Sequence, residues 1–230
     1  MEAKVTHAPR PRLAKQSRSQ ATRDRLLQAG QHLIATRGYE GTSIQDIAAQ
    51  AACSIGAFYH HFATKEAYYV ALVQRSVTEV RNALSTLLGG TRYVGVPQQE
   101  VVHAVVAFVT QAFRTHQGLV RAALKKAMDD RNAWNPIHEL GCEITERVTA
   151  LLVPPSAEGT TDSRFAVAVA MQVIYSTLLN AVINRPNPLL IEDNAIVLQL
   201  THIAVRYLEA PLPAAPADRG AAAATSPQRE

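Results

Sequence analysis

The side chains best able to do chemistry in this sequence lie between positions 42 and 65. Tyr59, His60 and His61 form a run of hydrogen-bonding groups, and the cation Lys65 follows them. Neighbouring residues of a helix point about 100° apart, so the two histidines do not chelate one metal ion together. Tyrosine, histidine and lysine side chains instead suit contacts with phosphate oxygens and base edges. The run therefore predicts a surface that binds a polyanion.

Other arrangements that carry chemistry are weak or missing. The two cysteines, Cys53 and Cys142, are too few for a disulfide framework or a zinc set. His138 and Cys142 have the spacing i, i+4 and can share a metal ion, but the sequence offers no third ligand. We find no nucleophile motif, glycine-rich phosphate loop or paired carboxylates. We therefore expect no metal, no cofactor and no enzyme activity.

The positive charge of the chain is concentrated near its N-terminus. The whole sequence has 23 Lys and Arg against 19 Asp and Glu, a net charge of +4. Positions 1–70 hold nine of the cations and five of the anions, which is already +4, so positions 71–230 hold fourteen of each. A basic segment joined to a neutral body favours nucleic-acid binding, because its cations release counterions from phosphate. A solubilising basic tail is the alternative.

The two ends of the chain differ in composition from its body. Positions 1–17 carry two prolines and no helical periodicity, which predicts a flexible basic arm. Positions 210–230 are rich in Ala and Pro, which predicts a disordered tail. The N-terminus lacks the apolar core of a signal peptide, and polar residues interrupt each apolar run before it reaches membrane-spanning length. We expect a soluble, cytoplasmic protein without a membrane partner.

Helices must position the reactive groups. Apolar residues recur at spacings of three and four, alanine is abundant, and no strand alternation appears. The pattern predicts an all-α fold with nine or ten helices. The boundaries that we expect are 19–37, 44–51, 55–61, 65 to the glycines at 89 and 90, 98–115, 118–131, 136–152, 162–184 and 189–209.

The two short helices at 44–51 and 55–61 form a helix-turn-helix. A tight connection joins them, and the preceding helix supplies a surface on which they pack. Ile44, Ile47 and Ala48 are predicted to face inward from the first helix, and Phe58 and Phe62 from the second. The outward face of the second helix is small near its start and hydrogen-bonding near its end, which suits the major groove of DNA.

Several short motifs follow one another in register over positions 18–67: Thr42-Ser43, Asp46-Ile47-Ala48, Ser54, Gly56, the run Phe58-Tyr59-His60-His61-Phe62, and Thr64-Lys65-Glu66. This pattern resembles the DNA-binding domain of the TetR family of transcriptional regulators. The resemblance implies an N-terminal three-helix DNA-binding domain. It also implies that DNA is contacted by Thr42, Ser43, Gln45, Ser54, Ile55, Gly56, Ala57, Tyr59, His60, His61 and Lys65.

The turn departs from the family pattern. Ala52 replaces a glycine that often has a positive φ, so some strain is expected there. Cys53 replaces a core valine, and we expect a passive buried thiol at that position.

Positions 68–209 resemble the family's C-terminal domain in helix layout only, and they imply a unit that dimerises and binds a small molecule. Tyr175 and Asn180, which lie within an otherwise apolar helix, and Trp134 are the candidate ligand-binding residues. The last two helices carry more apolar circumference than one core-facing stripe requires. They predict a homodimer interface made by Phe165, Val169, Ile174, Leu178, Ile196, Leu200 and Ile203.

These observations predict a one-component regulator, a repressor that binds a palindromic operator in double-stranded DNA as a homodimer and is released by a small-molecule effector. One alternative is a helical small-molecule binding protein or enzyme with a helix-turn-helix-like packing motif. Another is an architectural DNA binder without a ligand. The localised charge and missing catalytic motifs weigh against the first, and the size of the second domain weighs against the other.

Overall fold

The structure is a computed structural model that describes residues 11–153 and 160–210. Within those residues the chain forms eight α-helices and one 3₁₀ helix, with no strand, which confirms the all-α prediction. The helices are α1 (Pro11–Arg37), α2 (Ile44–Gln50), α3 (Ile55–His61), α4 (Lys65–Leu87), α5 (Gln98–Ala127), the 3₁₀ helix (Arg131–Trp134), α6 (Asn135–Leu152), α7 (Thr160–Asn184) and α8 (Asn194–Glu209).

The apolar side chains form two separate cores. The first core joins α1, α2, α3 and the start of α4, and Leu26, Ile47 and Phe58 in it are completely buried. The second joins the rest of α4 with α5 to α8, and Leu178 and Leu200 lie at its centre. The periodic apolar positions of the sequence face these cores, as the 3.6-residue helical repeat requires.

Two helices connect the cores. Leu72 of α4 belongs to the first core and Leu84 of the same helix to the second. Leu119 of α5 also packs in the first core, whereas Val109, earlier in that helix, packs in the second. Helices α4 and α5 therefore connect the two cores physically.

Helix α5 contains the junction that was predicted between helices at 98–115 and 118–131. The helix runs from Gln98 to Ala127, but His116 leaves helical geometry, at φ −109° and ψ 16°, so two helical segments meet there at a kink. The polar sequence around His116 therefore makes a kink instead of a loop. The second part also ends at Ala127, before the predicted position 131.

Two other predicted boundaries are wrong. Helix α1 begins at Pro11 instead of near position 19, because proline fits the first turn of a helix, where no intrahelical N–H is needed. Of the predicted flexible arm, only residues 1–10 lie outside the described residues. Helix α8 begins at Asn194 instead of 189, and Ile191 in the preceding turn is buried in the second core. The predicted tail, apart from Ala210, lies outside the described residues.

The expectation that no apolar run has membrane-spanning length also needs correction. The stretch Asp162–Asn184 of α7 is long and apolar enough, with a mean hydropathy of 1.8. In this fold 44% of that stretch is buried, and α7 packs against α5, α6 and α8. Its apolar character therefore matches that of the central helix of the second core.

Candidate nucleic-acid interface and ligand cavity

Helix α2 is fixed at its start by a reciprocal cap. The Ser43 hydroxyl accepts a hydrogen bond from the Asp46 backbone N–H, and the Asp46 carboxylate accepts one from the Ser43 backbone N–H, both at 3.0 Å. Hydrogen bonds from the side chain and then the backbone of Ser43 hold the pKa of Asp46 below its ordinary value. The cap leaves Ser43 and Gln45 exposed at the start of the helix.

Thr42 does not lie on the exposed surface. Its side chain is completely buried, and its hydroxyl donates to the Gly38 carbonyl oxygen at 2.8 Å. The Thr42 hydroxyl is therefore not available for the predicted contact of Thr42 with DNA. The hydroxyl instead fixes the loop that leads into α2.

A tight turn joins α2 to α3. Ala52 in this turn has φ 51°, the left-handed region that disfavours residues with a Cβ. The Cys53 N–H then donates to the Ala48 carbonyl at 2.9 Å, and the Ser54 hydroxyl caps α3 by accepting from the Ala57 N–H at 3.1 Å. Ser54 stays exposed, while Cys53 is half-buried as part of the first core. The turn sets the angle between the two short helices.

Helix α3 has one buried and one exposed face. Phe58 is completely buried, with its ring centroid 5.5 Å from that of Phe62 and 5.2 Å from that of Tyr68. On the other face, Ile55 is 45% exposed and Tyr59 is 53% exposed. Gly56 and His60 are also exposed, and Ala57 and His61 are half-buried. Of the predicted α3 residues, Ile55, Gly56, Tyr59 and His60 are therefore exposed, and two of these are large side chains.

Arg23 of α1 extends this surface, although the sequence did not single it out. Its guanidinium carbon lies 5.6 Å from the centroid of the Phe62 ring. Burial, then the charges of His60 and Arg23, hold the pKa of His61 below its ordinary value, so Arg23 lies close to the end of α3. The sequence shows only that α1 is rich in basic residues. It does not single out Arg23, because the contact joins residues far apart in the chain.

Lys65 makes two contacts with Tyr39 that the sequence did not predict. Its ammonium donates to the Tyr39 carbonyl at 2.8 Å and lies 4.3 Å from the centroid of the Tyr39 ring. The Tyr39 hydroxyl in turn donates to Glu66 at 2.9 Å, and this bond lowers the pKa of the Glu66 carboxyl. An ammonium has three donors, so a phosphate contact is compatible with the bond to Tyr39. Lys65 nevertheless has a structural role that the sequence did not predict.

A cavity of about 720 Å³ opens between the helices of the second domain. Its walls come from α4, α5, the 3₁₀ helix, α6 and α7. Trp134 and Tyr175, two of the three predicted ligand residues, line it. The volume lies within the range of about 300–1,000 Å³ that small-molecule sites have.

Asn180, the third predicted ligand residue, does not reach the cavity. It is exposed on α7, and its side-chain oxygen accepts a hydrogen bond from Asn184 at 2.8 Å. Tyr175, one turn and a half earlier, points inward instead, and its hydroxyl donates to the Gly141 carbonyl at 3.1 Å. Burial raises the pKa of Tyr175 far above its ordinary value, so the phenol stays neutral.

The cavity also contains polar groups that the sequence did not bring together. His116, Thr145 and Gln172 line it beside Tyr175. The Cys142 sulfur lies 3.7 Å from His138 Nε2 on the same wall. No group of three potential metal ligands occurs among the residues that the structure describes.

Two family sequence profiles match most of the length that the structure describes. Residues 26–72 match the profile of bacterial regulatory proteins of the tetR family, and residues 97–208 match that of the tetracyclin repressor-like C-terminal domain. The chain belongs to the TetR family. The first match contains the whole helix-turn-helix, and the second contains α5 to α7 and nearly all of α8.

Curated relatives and solved structures of TetR proteins agree with this assignment. The HTH-type transcriptional repressors DhaR of Mycobacterium sp. and NemR of Escherichia coli are 35% identical over 66 residues and 36% identical over 67. Each alignment covers 29% of this chain, and the chain spans about a third of either relative's length. A putative TetR-family regulator from Mesorhizobium loti has the same fold, with a TM-score of 0.65 at 17% identity over 83% of this chain and 96% of that one.

The TetR C-terminal domain shows a different outer surface from the one predicted. Ile174, Leu178, Ile196 and Leu200, predicted interface residues, are buried in the chain's own core, because their spacing of four places them on the inward stripe of α7 and α8. Phe165 and Val169 are half-buried, and Ile203 is 48% exposed. Val173, Ile183 and Leu198 are further large apolar side chains exposed on these helices. The sequence of α7 is apolar on both faces, so it does not separate the exposed Val173 and Ile183 from the residues that face the core.

Proposed function

We propose that this chain is a transcriptional repressor that binds double-stranded DNA through α3 and releases it when a small molecule occupies the cavity. The observation that carries the proposal is the exposed face of α3. Ile55 and Tyr59 are large side chains spaced i, i+4, which places them on one face of α3, and both are exposed there beside exposed His60. Apolar and hydrogen-bonding groups on a short helix are what direct reading of the major groove requires.

The surroundings of α3 support the same assignment. Arg23 lies beside the C-terminal end of α3, and Lys65 follows that helix in the chain. Two cations are therefore close to the positions that the phosphates of a bound DNA would occupy. Repression, rather than activation, is proposed because DhaR and NemR are both named transcriptional repressors. The protein would act in the cytoplasm, where its DNA is.

A homodimer and a palindromic operator complete the proposal. One seven-residue helix touches too few base pairs for specific binding, whereas a dimer presents two such helices to successive turns of the groove. The apolar residues exposed on α7 and α8 supply a surface that a second copy of the chain can cover. The effector would bind in the cavity, because α4 and α5 form part of its wall and also pack in the first core.

Tyr59→Ala and Lys65→Ala test the DNA interface. A site is first selected from random DNA with the wild-type chain, and affinity is then measured by fluorescence anisotropy at several salt concentrations. We expect Tyr59→Ala to weaken binding about tenfold. Lys65→Ala should also reduce the salt slope by about one, because a phosphate contact is lost. Val94→Ala, an exposed apolar residue remote from α3 in sequence, is the control and should bind as the wild type does.

The same measurement decides between this function and the main alternative. A small-molecule binding protein with a helix-turn-helix-like packing motif would select no DNA sequence and show no effect of Tyr59→Ala. Unchanged affinity in both variants would refute the assigned interface. A loss of affinity in Lys65→Ala with an unchanged salt slope would give Lys65 only the structural role that its bond to Tyr39 shows.

A further inference from the structure

His116 touches both the cavity and the DNA-binding domain. His116 is one of the residues that line the cavity, and its backbone forms the kink of α5. Gln31 of α1 places its side-chain Nε2 3.5 Å from Nδ1 of the His116 ring. A molecule that enters the cavity therefore meets a side chain that is hydrogen-bonded to the helix on which α2 and α3 pack.

The backbones of α1 and α5 are in direct contact beside this hydrogen bond. A Cβ added to Gly118 would lie 2.4 Å from the Ile34 carbonyl oxygen and 2.8 Å from the Ala35 Cα, so no side chain separates the two helices there. Leu119 follows in α5, and it is buried in the first core while also lining the cavity. Close-packed elements transmit small shifts because they leave no free space to absorb them. A change in the kink at His116 therefore displaces α1 as well.

The walls of the cavity select against a negative charge. They are mainly aliphatic and aromatic, as Val77, Phe113 and Ile144 illustrate, and no Lys or Arg occurs among the lining residues in the part of the chain that the structure describes. The one acidic lining residue, Glu146, is exposed. An anion would lose its hydration here without a Lys or Arg to balance its charge.

The hydrogen bond from Gln31 also determines which ring nitrogen of His116 carries the proton. Burial lowers the pKa of His116, against a smaller opposing effect of Glu79, so the ring is neutral at physiological pH. When Nδ1 accepts from the Gln31 amide, the single ring proton is on Nε2. The ring is then a hydrogen-bond donor for an oxygen acceptor of a bound molecule.

We propose that, in the regulator described above, the cavity binds a neutral, mainly apolar molecule with an oxygen acceptor. Binding of this molecule to His116 changes the hydrogen bond between His116 and Gln31, and through it the position of α1. The inference rests on the proposed function, since it specifies the effector class and the coupling residue of that regulator. The acceptor binds the Nε2 proton, the ring shifts, and the hydrogen bond to Gln31 and the α1–α5 contact change with it.

A matched pair of probes tests the ligand class. Methyl 2-naphthoate is a neutral ester, and 2-naphthoate is the corresponding anion with the same ring. Calorimetry should show at least tenfold tighter binding of the ester at pH 7.5, a difference of about 1.4 kcal/mol. Trp134, the only tryptophan of the chain, lines the cavity, so its emission should change when the ester binds there. An ester that binds no more tightly than the anion, or that leaves Trp134 unchanged, overturns the proposed ligand class.

A variant of Gln31 tests the coupling. Gln31→Ala removes the bond to His116 but is not in the cavity wall, so the ester should bind it as tightly as it binds the wild type. Saturating ester lowers the affinity of the wild type for DNA by some factor. In Gln31→Ala this factor should be smaller by about threefold or more. Gln28→Ala, an exposed glutamine earlier in α1, is the control and should respond as the wild type does.

The outcomes separate this inference from the function on which it rests. A full response in Gln31→Ala overturns the role of Gln31 and leaves the regulator intact. An ester that binds the wild type without changing its affinity for the selected DNA site refutes regulation by a cavity ligand, and the inference falls with it.

Discussion

The hydroxyl of Tyr68 occupies the space where a side chain at Gly30 would begin. A Cβ added to Gly30 would lie 1.6 Å from that oxygen, which donates to the Leu26 carbonyl at 2.8 Å. Tyr68 is completely buried, so it cannot swing away into solvent. The close approach of α1 and α4 therefore requires glycine at position 30, although glycine is about 1 kcal/mol less favourable than alanine inside a helix.

Gly30→Ala should destabilise the DNA-binding domain. Displacing Tyr68 strains the core by about 1–3 kcal/mol and breaks a buried hydrogen bond, which exceeds the gain in helix propensity. Urea unfolding should show a net loss of about 1–3 kcal/mol. In Gly56→Ala the new Cβ has only the Ser54 hydroxyl oxygen near it, at 3.8 Å, so this control should lose no stability and should gain up to about 1 kcal/mol from helix propensity. Equal stability of Gly30→Ala and wild type would contradict the steric argument.

The sequence predicts the elements of this fold better than the contacts between them. Leu26, Ile47 and Phe58 lie on the stripes that their spacing predicted, since a helix fixes which residues share a face. The bond from Gln31 to His116 joins α1 to α5, and no local pattern records it. The α3 surface was predicted by a family motif, whereas Arg23 was missed because only the folded chain brings it to α3.

Helix α7 shows a further limit. Both faces of α7 are apolar, so the sequence could not tell which residues face the chain's own core: Ile174 is 3% exposed and its neighbour Val173 is 44% exposed. Thr42 illustrates the same limit for polar groups. A hydroxyl near the start of a helix can contact DNA or form a hydrogen bond within the chain. Only the burial of Thr42 in the folded structure distinguishes these two roles.

Ala52→Gly should stabilise the chain. Ala52 has φ 51°, where a Cβ crowds the backbone, and glycine removes that crowding. The greater freedom of glycine in the unfolded chain offsets part of the gain, so we expect about 0.5–1 kcal/mol in urea unfolding. Ala49→Gly, at an exposed position within α2, is the matched control and should lose about 1 kcal/mol. A loss of stability in Ala52→Gly would show that the turn is not strained.

His116 should make stability fall as the pH falls. Burial lowers its pKa in the folded chain, so between the folded value and the unfolded value of about 6.5 the unfolded chain binds more protons. Stability is then complete above about pH 6.5 and is lost progressively below it. Urea unfolding between pH 8 and 5.5 should show a smaller loss in His116→Asn than in wild type. His202→Asn, at an exposed position of α8, should keep the wild-type profile.

Ile55 should contribute base preference rather than general affinity. It is 45% exposed on α3 and apolar, and apolar side chains discriminate thymine by packing on its methyl group. In a comparison of selected DNA sites, Ile55→Ser should change the preferred base at one position per half-site, whereas Ile55→Val should keep it. A uniform loss of affinity for all sites would contradict this role.

Ile203 should mark the surface between two copies of the chain. It is 48% exposed on α8, so arginine there charges an outer face without entering the core, and the variant should be a folded monomer. Ile174→Arg and Leu200→Arg place the charge inside the second core instead and should unfold the chain. Sedimentation at micromolar concentration and circular dichroism distinguish the two results. Val94→Arg, at a position 78% exposed, is the control and should leave the dimer intact. Wild-type chain that sediments as a 25.0 kDa monomer, alone and on its selected DNA site, would refute the dimer.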